Sequence, residues 1–306
     1  MSAVTQSPLA YARPSTLKLV LAFAVMVTVW SLSFVVVKIV TQEVPPLFAA
    51  LLRAAGTAIA LAPFAVWAQR KNAHARFQRA DLPRLIATAV TGVTINQVCF
   101  IVGVSSTSVA HSSIVLALSP MLVLLAAAIA GQERAGIGQF VGMAVALAGV
   151  AWLQVSRSQA GSASTAGDVV AFLSASAFGV YSVLNKQLTA HYGGAFINAA
   201  CFAIGALAMA PLGLWAGRVA DVTHWSARVW MGLAYMVVFQ GVVGYQAFFY
   251  LLTHVPATRV SMYSYIQPLE ATLFAWMLLA EPVTLSVGVG GLLVFAGVWL
   301  TVRARA

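Results

Sequence analysis

The chain repeats its own pattern once, at a constant spacing of 148 residues. Pro120 precedes Glu133 by 13 residues and Pro268 precedes Glu281 by 13, and 268 − 120 and 281 − 133 both equal 148. The same shift pairs further residues along the chain: Trp30 with Phe178, Lys38 with Lys186, Phe100 with Phe248, Gly142 with Gly290, and Gly149 with Gly297. Matches spread over the whole length at one shift indicate a duplicated half. We therefore predict a polar tail at 1–16 and two homologous halves at 17–154 and 165–302.

The composition places both halves in a lipid bilayer. Hydrophobic residues make up 61% of the chain and charged residues 8%, which is too little charge to cover the surface of a soluble domain. Apolar runs of about 20 residues, the length that crosses the ~30 Å hydrocarbon core of a membrane, recur throughout. We predict an all-α membrane protein with ten spans, at 17–41, 46–68, 83–104, 107–130, 136–154, 167–189, 194–217, 228–251, 256–279 and 283–302.

The distribution of cations indicates which side of the membrane each end faces. Lysine and arginine cluster near both termini and in the loop after the second span, at Arg13, Lys18, Arg70, Lys71, Arg76, Arg79, Arg84, Arg303 and Arg305. An even number of spans puts all of these residues on one side, which the excess of positive charge identifies as the cytoplasm. Because each half has an odd number of spans, the second half inserts upside down relative to the first, as in many secondary transporters.

Two stretches of the first half resemble the EamA family of the drug/metabolite transporter superfamily. They are Trp30-Ser31-Leu32-Ser33-Phe34 followed by Lys38, and Ser119-Pro120 followed by Gly131-Gln132-Glu133. The resemblance covers the chain after the tail, and it implies two inverted five-span halves that carry small metabolites out of the cell. Within the family, the chain is most similar to amino-acid exporters of the YddG type, which implies neutral or aromatic amino acids as substrates. Phe178-Gly179 stands in the second half where the first has Trp30-Ser31, so we expect chemically unequal half-sites.

Pro120 and Pro268 lie near the middle of the fourth and ninth predicted spans. A proline has no N–H and clashes with the carbonyl four residues back, so each one bends or breaks its helix. The freed carbonyls, of Leu116 and Ser264, need a hydroxyl, a water or a ligand as partner inside a membrane. The two prolines are therefore either symmetry-related kinks that line a central cavity or packing kinks without a ligand role.

Aromatic, amide and hydroxyl side chains within the spans are the candidates for substrate binding, because together they suit a zwitterion with an apolar side chain. The ninth span has two polar faces, one with Tyr265 and the other with Tyr263, Gln267 and Glu270. Because Gln267 is equivalent to Ser119, pseudo-symmetry favours the Tyr263 face for the pathway. The predicted substrate-binding residues are Trp30, Ser33, Asn96, Gln97, Ser119, Phe178, Tyr181, Tyr245, Tyr263, Tyr265 and Gln267.

Few charged side chains lie inside the predicted spans, where a charge costs at least about 2.5–3.5 kcal/mol without a partner. Glu270 is a candidate for binding an ammonium group or carrying a coupling proton, and Arg53 for binding a carboxylate. The alternative is that each pairs with a helix end or a hydroxyl for structural reasons. Lys38 and Lys186 end their spans at equivalent positions, either as snorkelling anchors or as halves of gating ion pairs.

These features predict a secondary transporter that exports neutral or aromatic amino acids by alternating access across a bacterial inner membrane. The alternatives are the same fold with another solute, such as a nucleoside, a sugar or a drug, and a different class such as an intramembrane enzyme or a scaffold. No HExxH or GxSxG motif occurs in the sequence, and we expect no enzymatic activity, cofactor, metal or nucleic-acid partner. The expected partners are a small-molecule substrate and the lipid bilayer, and a monomer is expected to suffice because one chain contains both halves.

Overall fold

The computed structural model describes residues 14–71, 77–131, 136–155, 164–255 and 257–304, and all regular structure in these ranges is helical. The α-helices are α1 Thr16–Val40, α2 Pro46–Lys71, α3 Leu82–Ala89, α4 Asn96–Ser106, α5 Val109–Leu116, α6 Ser119–Ile129, α7 Ile137–Val155, α8 Thr165–Tyr192, α9 Gly194–Gly217, α10 Ala227–Tyr235, α11 Tyr245–His254, α12 Ala257–Val260, α13 Gln267–Leu279 and α14 Leu285–Arg303. Short 3₁₀ segments occupy Arg79–Asp81, Val222–His224 and Ser261–Tyr265. Most of the predicted tail, with Arg13, and four other residues named above, Arg76, Gln132, Glu133 and Arg305, lie outside the described residues.

Several helical stretches of the described chain have the length and hydropathy of membrane spans. There are seven of them: Thr16–Val40, Pro46–Trp67, Arg79–Ser106, Val109–Ile129, Thr165–Tyr192, Gly194–Gly217 and Ala227–His254. They coincide, to within a few residues, with seven of the ten predicted spans, which confirms an all-helical protein with several membrane-spanning segments. The other three predicted spans contain α7, the interrupted pair α12 and α13, and α14.

Both mid-span prolines lie where a helix restarts. α5 ends at Leu116 and α6 begins at Ser119, one residue before Pro120, while α13 begins at Gln267, one residue before Pro268. A proline at this position loses no hydrogen bond, because the first N–H groups of a helix have no partner within it. The Ser119 hydroxyl donates to the Leu116 carbonyl at 2.6 Å, so the carbonyl freed by the first break has a partner within the chain.

Two π-helical segments interrupt the third and eighth spans at equivalent positions, Val90–Ile95 and Met236–Gly244. Adding 148 to the first range gives 238–243, which lies inside the second. π-helices are rare and often mark functional sites, and the extra residue in each turn rotates the helix that follows. Here the helices that follow are α4 and α11, which begin with Asn96 and Tyr245. The two segments therefore set the direction in which these polar residues point.

The two halves interdigitate. The most extensive helix contacts are α2 with α9, α4 with α8, and α7 with α14, and each joins a helix of the first half to one of the second. The largest hydrophobic cluster likewise includes buried residues of both halves, such as Phe34 and Phe100 from the first and Phe202 and Phe248 from the second. A space enclosed by residues of both halves is therefore expected near the middle of the bundle.

Candidate functional site

A central cavity lies between the two halves. The empty space between its walls, including open solvent at its mouth, is about 430 Å³. The first half contributes Trp30, Ser33, Arg53, Asn96, Gln97, Phe100, Leu116 and Ser119, and the second half contributes Ala175, Phe178, Gln240, Tyr245, Tyr263 and Gln267. The walls thus combine aromatic rings with amides and hydroxyls.

Three pairs of lining residues are equivalent under the 148-residue shift: Trp30 with Phe178, Gln97 with Tyr245, and Ser119 with Gln267. Two of these pairs touch. The Trp30 and Phe178 ring centroids are 6.0 Å apart, and the rings are nearly perpendicular. The Gln97 amide donates a hydrogen bond to the Tyr245 hydroxyl. The two halves therefore contribute equivalent positions to the cavity, and its two sides differ chemically because each pair joins unlike side chains.

Trp30 is the centre of the aromatic part of the cavity. Its ring centroid lies 4.9 Å from that of Tyr263, 5.2 Å from Tyr245 and 5.5 Å from Phe248. The side chain is 6% exposed, and its Nε1–H has no hydrogen-bond partner within the described chain. Rings at these distances and angles form favourable edge and tilted contacts. A substrate that enters this part of the cavity meets a nearly continuous aromatic wall.

Gln97 is the centre of the polar part. Its Oε1 accepts a hydrogen bond from Arg53 Nη1, and its Nε2 donates to Asn96 Oδ1 at 3.0 Å as well as to Tyr245. Asn96 Nδ2 in turn donates to the Ser174 carbonyl at 2.9 Å, which ties α4 to α8. Each amide in this chain of hydrogen bonds has a defined orientation, so the Arg53 guanidinium is held in place from one side.

Some of the predicted binding residues do not line the cavity. Tyr181 is fully buried behind it, stacked on Phe248 with ring centroids 6.3 Å apart. Its ring occupies the space that a Cβ atom would fill at Gly92. Tyr265 packs instead against a separate hydrophobic cluster, and Glu270 lies in the first turn of α13, where the positive end of the helix dipole favours a carboxylate.

The remaining predicted substrate-binding residues all line the cavity, and so does Arg53. On the ninth span the lining residues are Tyr263 and Gln267, which share the face that pseudo-symmetry favours. Four lining residues were not predicted: Phe100, Leu116, Ala175 and Gln240. The sequence offered one signal for Phe100, which lies one helical turn after Asn96. Gln240 also offered a signal, because it is a polar amide within the eighth predicted span, although its equivalent in the first half is Gly92.

A second polar cluster joins the end of α1, the start of α5 and the end of α13. Lys38 Nζ donates to the Ser105 carbonyl at 3.4 Å, and the Glu281 carboxylate accepts from Val109 N at 3.1 Å. Ala280 adopts the left-handed conformation, with φ of 53°, and this turn directs Glu281 towards the N-terminus of α5. The backbone N–H groups of a helix start attract a carboxylate, so Glu281 fastens α13 to α5.

Two further polar residues, His111 and Asp168, adjoin this cluster. Lys38 lies within electrostatic range of Glu281, and the His111 ring nitrogen is 3.3 Å from the Asp168 carboxylate, both residues being buried. Burial raises the pKa of Glu281 above its usual range, and the Val109 hydrogen bond and the Lys38 charge oppose that rise. Lys186, the equivalent of Lys38, is partly buried and has no ion pair or hydrogen bond within the described ranges.

Comparisons with known proteins agree with this architecture. The model of the EamA-like transporter family matches residues 17–154 and again 165–303. An uncharacterized transporter of Archaeoglobus fulgidus is 29% identical over 93% of this chain and 99% of its own length. A probable terminal-alkyne amino-acid exporter of Streptantibioticus cattleyicolor is 28% identical over 94% of each chain. One crystal structure, at 18% identity, superposes with a TM-score of 0.64 over 95% of this chain and 99% of that one, which shows a shared fold.

Two matches of the family model cover nearly the whole chain, one on each of the repeats that the 148-residue shift defines, and the relatives are named as transporters rather than enzymes. The chain therefore belongs to the EamA-like transporter family.

Proposed function

We propose that this protein is a secondary transporter that exports neutral or aromatic amino acids across the bacterial inner membrane by alternating access. The observation that carries the proposal is the central cavity, which both halves line with equivalent but unlike residues. Rings such as Trp30 and Tyr263 suit an apolar side chain, and Gln97, Gln240 and Gln267 suit the polar groups of an amino acid. The name of the Streptantibioticus relative, a probable exporter of an amino acid, supports the same substrate class.

The membrane arrangement in this proposal has ten spans with both termini in the cytoplasm. The seven long apolar helices supply seven spans, and α7, α12 with α13, and α14 supply the other three. The cations near the second loop and the C-terminus favour the cytoplasm for that side. With this orientation the cluster of Lys38 and Glu281 closes the outer end of the bundle, and a motion that parts α1 and α13 from α5 would open it.

The lining residues argue against two other substrate classes. A nucleotide sugar carries two phosphates and calls for several lysines or arginines, but Arg53 is the one cation among the lining residues that the structure describes. A cationic drug calls for an acid, and neither aspartate nor glutamate occurs in that described set. Neutral nucleosides and sugars remain the second candidate class, because amides and aromatic rings bind them as well.

The test is uptake of radiolabelled neutral amino acids into liposomes that contain the purified protein. We expect saturable uptake, and we expect Gln267→Ala to reduce it by about tenfold because the amide loses its contact with the substrate. Thr272→Ala is the matched control, since Thr272 lies on the same helix but outside the cavity lining. Saturation separates a carrier from a channel.

A pH gradient across the liposome separates uniport from proton coupling. Uptake that needs the gradient and disappears in Glu270→Gln would assign the coupling proton to Glu270. Uptake that is independent of the gradient and unaffected by Glu270→Gln would make the protein a facilitative carrier. If no amino acid enters the liposomes, amino-acid export is wrong, and nucleosides and sugars become the next substrates to assay.

Acidification is expected to stabilise the closed outer end. Glu281 has a raised pKa where it is buried against α5, and its pKa returns to the ordinary value when opening exposes it to water. The closed form therefore binds a proton more tightly, so the closed population rises as the pH falls through the range between the raised pKa of Glu281 and the ordinary pKa of a carboxyl group. Spin labels at the exposed positions Gln42 and Val283, in a variant without the two native cysteines, report the separation of α1 and α13.

Glu281→Gln is the control for this measurement. The amide cannot titrate, so the distance distribution between the labels should no longer change in this pH range. Lys38, His111 and Asp168 are unchanged in the variant. A pH response of unchanged size in Glu281→Gln would show that Glu281 is not the group responsible.

A further inference from the structure

Arg53 is a buried cation, and no carboxylate in the described part of the chain balances it. The side chain is 1% exposed, and it is the one charged residue among the fourteen described residues that line the cavity. Its Nη1 donates to Gln97, it also interacts with the Tyr245 hydroxyl, and its Nε–H has no hydrogen-bond partner within the described chain. A guanidinium has five N–H donors and stays charged in proteins, so Arg53 has donors left for a ligand.

The surroundings of Arg53 favour an anion with two oxygens in one plane. Taking a charge out of water is costly unless an opposite charge or several hydrogen bonds replace the water. Gln97 and Tyr245 are neutral, and they orient the guanidinium without neutralising it. The planar fork of an arginine matches a carboxylate through two parallel hydrogen bonds. The empty space next to Arg53 is therefore complementary to a carboxylate, which the described residues of the protein do not supply.

The cavity offers much less to an ammonium group. No acid lines it among the residues that the structure describes, so an ammonium finds no opposite charge. The available partners are the Trp30 and Tyr263 ring faces and the buried Gln240 Oε1, which lacks a hydrogen-bond donor in the described chain. Such partners can bind a cationic group but do not require one in the ligand. The cavity therefore selects strongly for an anionic group on the ligand and only weakly for a cationic group.

From this asymmetry we propose that Arg53 binds the carboxylate of the transported solute, that the carboxylate is required, and that the ammonium group is dispensable. The substrate class is then carboxylates that carry an apolar or aromatic side chain, with amino acids as one member. The inference rests on the proposed function for the identity of the site, but it extends the range of solutes beyond amino acids. Gln97 and Tyr245 are positioning residues in this scheme because they hold the guanidinium.

The test is calorimetric binding of four probes to the full-length purified protein: L-phenylalanine, 3-phenylpropanoate, L-phenylalaninamide and 2-phenylethylamine. The first two have the carboxylate and the last two lack it, while all four share the aromatic ring. We expect phenylalanine and 3-phenylpropanoate to bind within about tenfold of each other, and the two probes without a carboxylate to bind at least about a hundredfold more weakly, because they leave the guanidinium unpaired.

Two variants separate the role of Arg53 from a role in folding. Arg53→Gln is expected to remove the preference for a carboxylate, but it also removes a buried group and can fail to fold. Gln97→Glu keeps Arg53 and nearly the same volume, and it places a carboxylate against the guanidinium. It is expected to fold and to lose binding of 3-phenylpropanoate by about a hundredfold, because the anion site is already filled. Gln187→Glu, at an exposed position on α8, makes the same change as a control.

The outcomes distinguish this inference from the proposed function. Binding of 3-phenylpropanoate without uptake of any amino acid would leave the inference standing and reject amino-acid export. Uptake of phenylalanine together with equal binding of phenylalaninamide would reject the inference and leave amino-acid export standing. Unchanged binding of 3-phenylpropanoate in folded Gln97→Glu, or binding of none of the four probes, would also overturn the assignment of Arg53.

Discussion

Replacing Gly297 with leucine is expected to abolish the accumulation of folded protein, or to lower its free energy of unfolding by about 3 kcal/mol or more. Gly297 is buried where α14 packs on α7, and a Cβ atom at this position would lie 2.3 Å from Ala146 N and 2.5 Å from the Gly142 carbonyl oxygen. Both neighbours are backbone atoms of a helix, so no side-chain rotation makes room. The measurement is the yield of monodisperse protein in gel filtration, followed by its thermal unfolding.

Gly288 provides the matched control for this substitution. It lies on the same helix, and a Cβ atom there would meet no heavy atom within 4 Å. Gly288→Leu is therefore expected to keep both the yield and the Tm of the unmodified protein. A Gly297→Leu protein with a normal yield and Tm would mean that α7 and α14 do not approach as closely as described.

The contact at Gly297 has an equivalent in the other half. A Cβ atom at Gly149 would lie 2.8 Å from the Gly290 carbonyl oxygen, just as Gly297 approaches Gly142. Within each helix the two glycines are seven residues apart, since 149 − 142 and 297 − 290 both equal 7, which is about two turns and puts them on one face. Small residues let two helix backbones approach closely inside a membrane. The duplicated sequence therefore packs against its own copy through one repeated pair of glycines.

The spans could be predicted from the sequence because hydrocarbon imposes a simple rule on the backbone. Every N–H and C=O must be satisfied within the segment, so a run of about 20 apolar residues becomes a helix whatever its detailed sequence. The mid-span breaks followed from Pro120 and Pro268, whose effect is local. Because the two halves are repeats, a candidate residue in one half identified its equivalent in the other. Trp30 and Phe178 were predicted in this way, and both line the cavity.

The sequence could not predict the direction in which side chains point within helices that are apolar on every side. Hydrophobic periodicity carries little information there, because lipid and protein interior are similarly apolar. The π-helical segments before Asn96 and Tyr245 rotate the helices that follow them, and no residue pattern predicts this rotation. Tyr181 illustrates the difficulty. It is equivalent to Ser33, which lines the cavity. Its own ring packs against Gly92 instead, because this glycine has no Cβ atom to occupy that space.

Pairing between residues that are distant in the sequence could not be predicted either. Lys38 and Glu281 stood out in the sequence, but the hydrogen bond between Glu281 and Val109 joins residues 172 positions apart. It depends on the left-handed turn at Ala280, a conformation that alanine rarely adopts and that no sequence rule predicts. The same applies to Arg53 and Gln97, since the burial of a charge predicts that a partner exists but not which residue it is.

Substituting alanine for Trp30 is expected to reduce amino-acid uptake by at least about a hundredfold while the protein remains folded in the membrane. The ring contacts Tyr245, Phe248, Tyr263 and Phe178 at once, so its removal leaves these four without a common neighbour and opens the aromatic wall of the cavity. Truncation of a buried tryptophan costs about 3–5 kcal/mol of packing and contact energy, and part of that loss falls on the bound substrate. The measurement is the ratio of maximal uptake rate to KM in liposomes, with the Tm determined in parallel.

Two further variants show which property of Trp30 matters. Trp30→Phe keeps a ring but removes the Nε1–H, which is buried and has no hydrogen-bond partner in the described chain. A loss about as large in Trp30→Phe as in Trp30→Ala would assign the effect to that donor, whereas near-normal uptake would assign it to the ring. Trp276→Ala, at a position 59% exposed on α13, is the control for losing a tryptophan as such, and it should leave uptake unchanged. Full activity of Trp30→Ala would move substrate binding out of the central cavity, because the Trp30 ring contacts three other aromatic residues of the cavity wall, Phe178, Tyr245 and Tyr263.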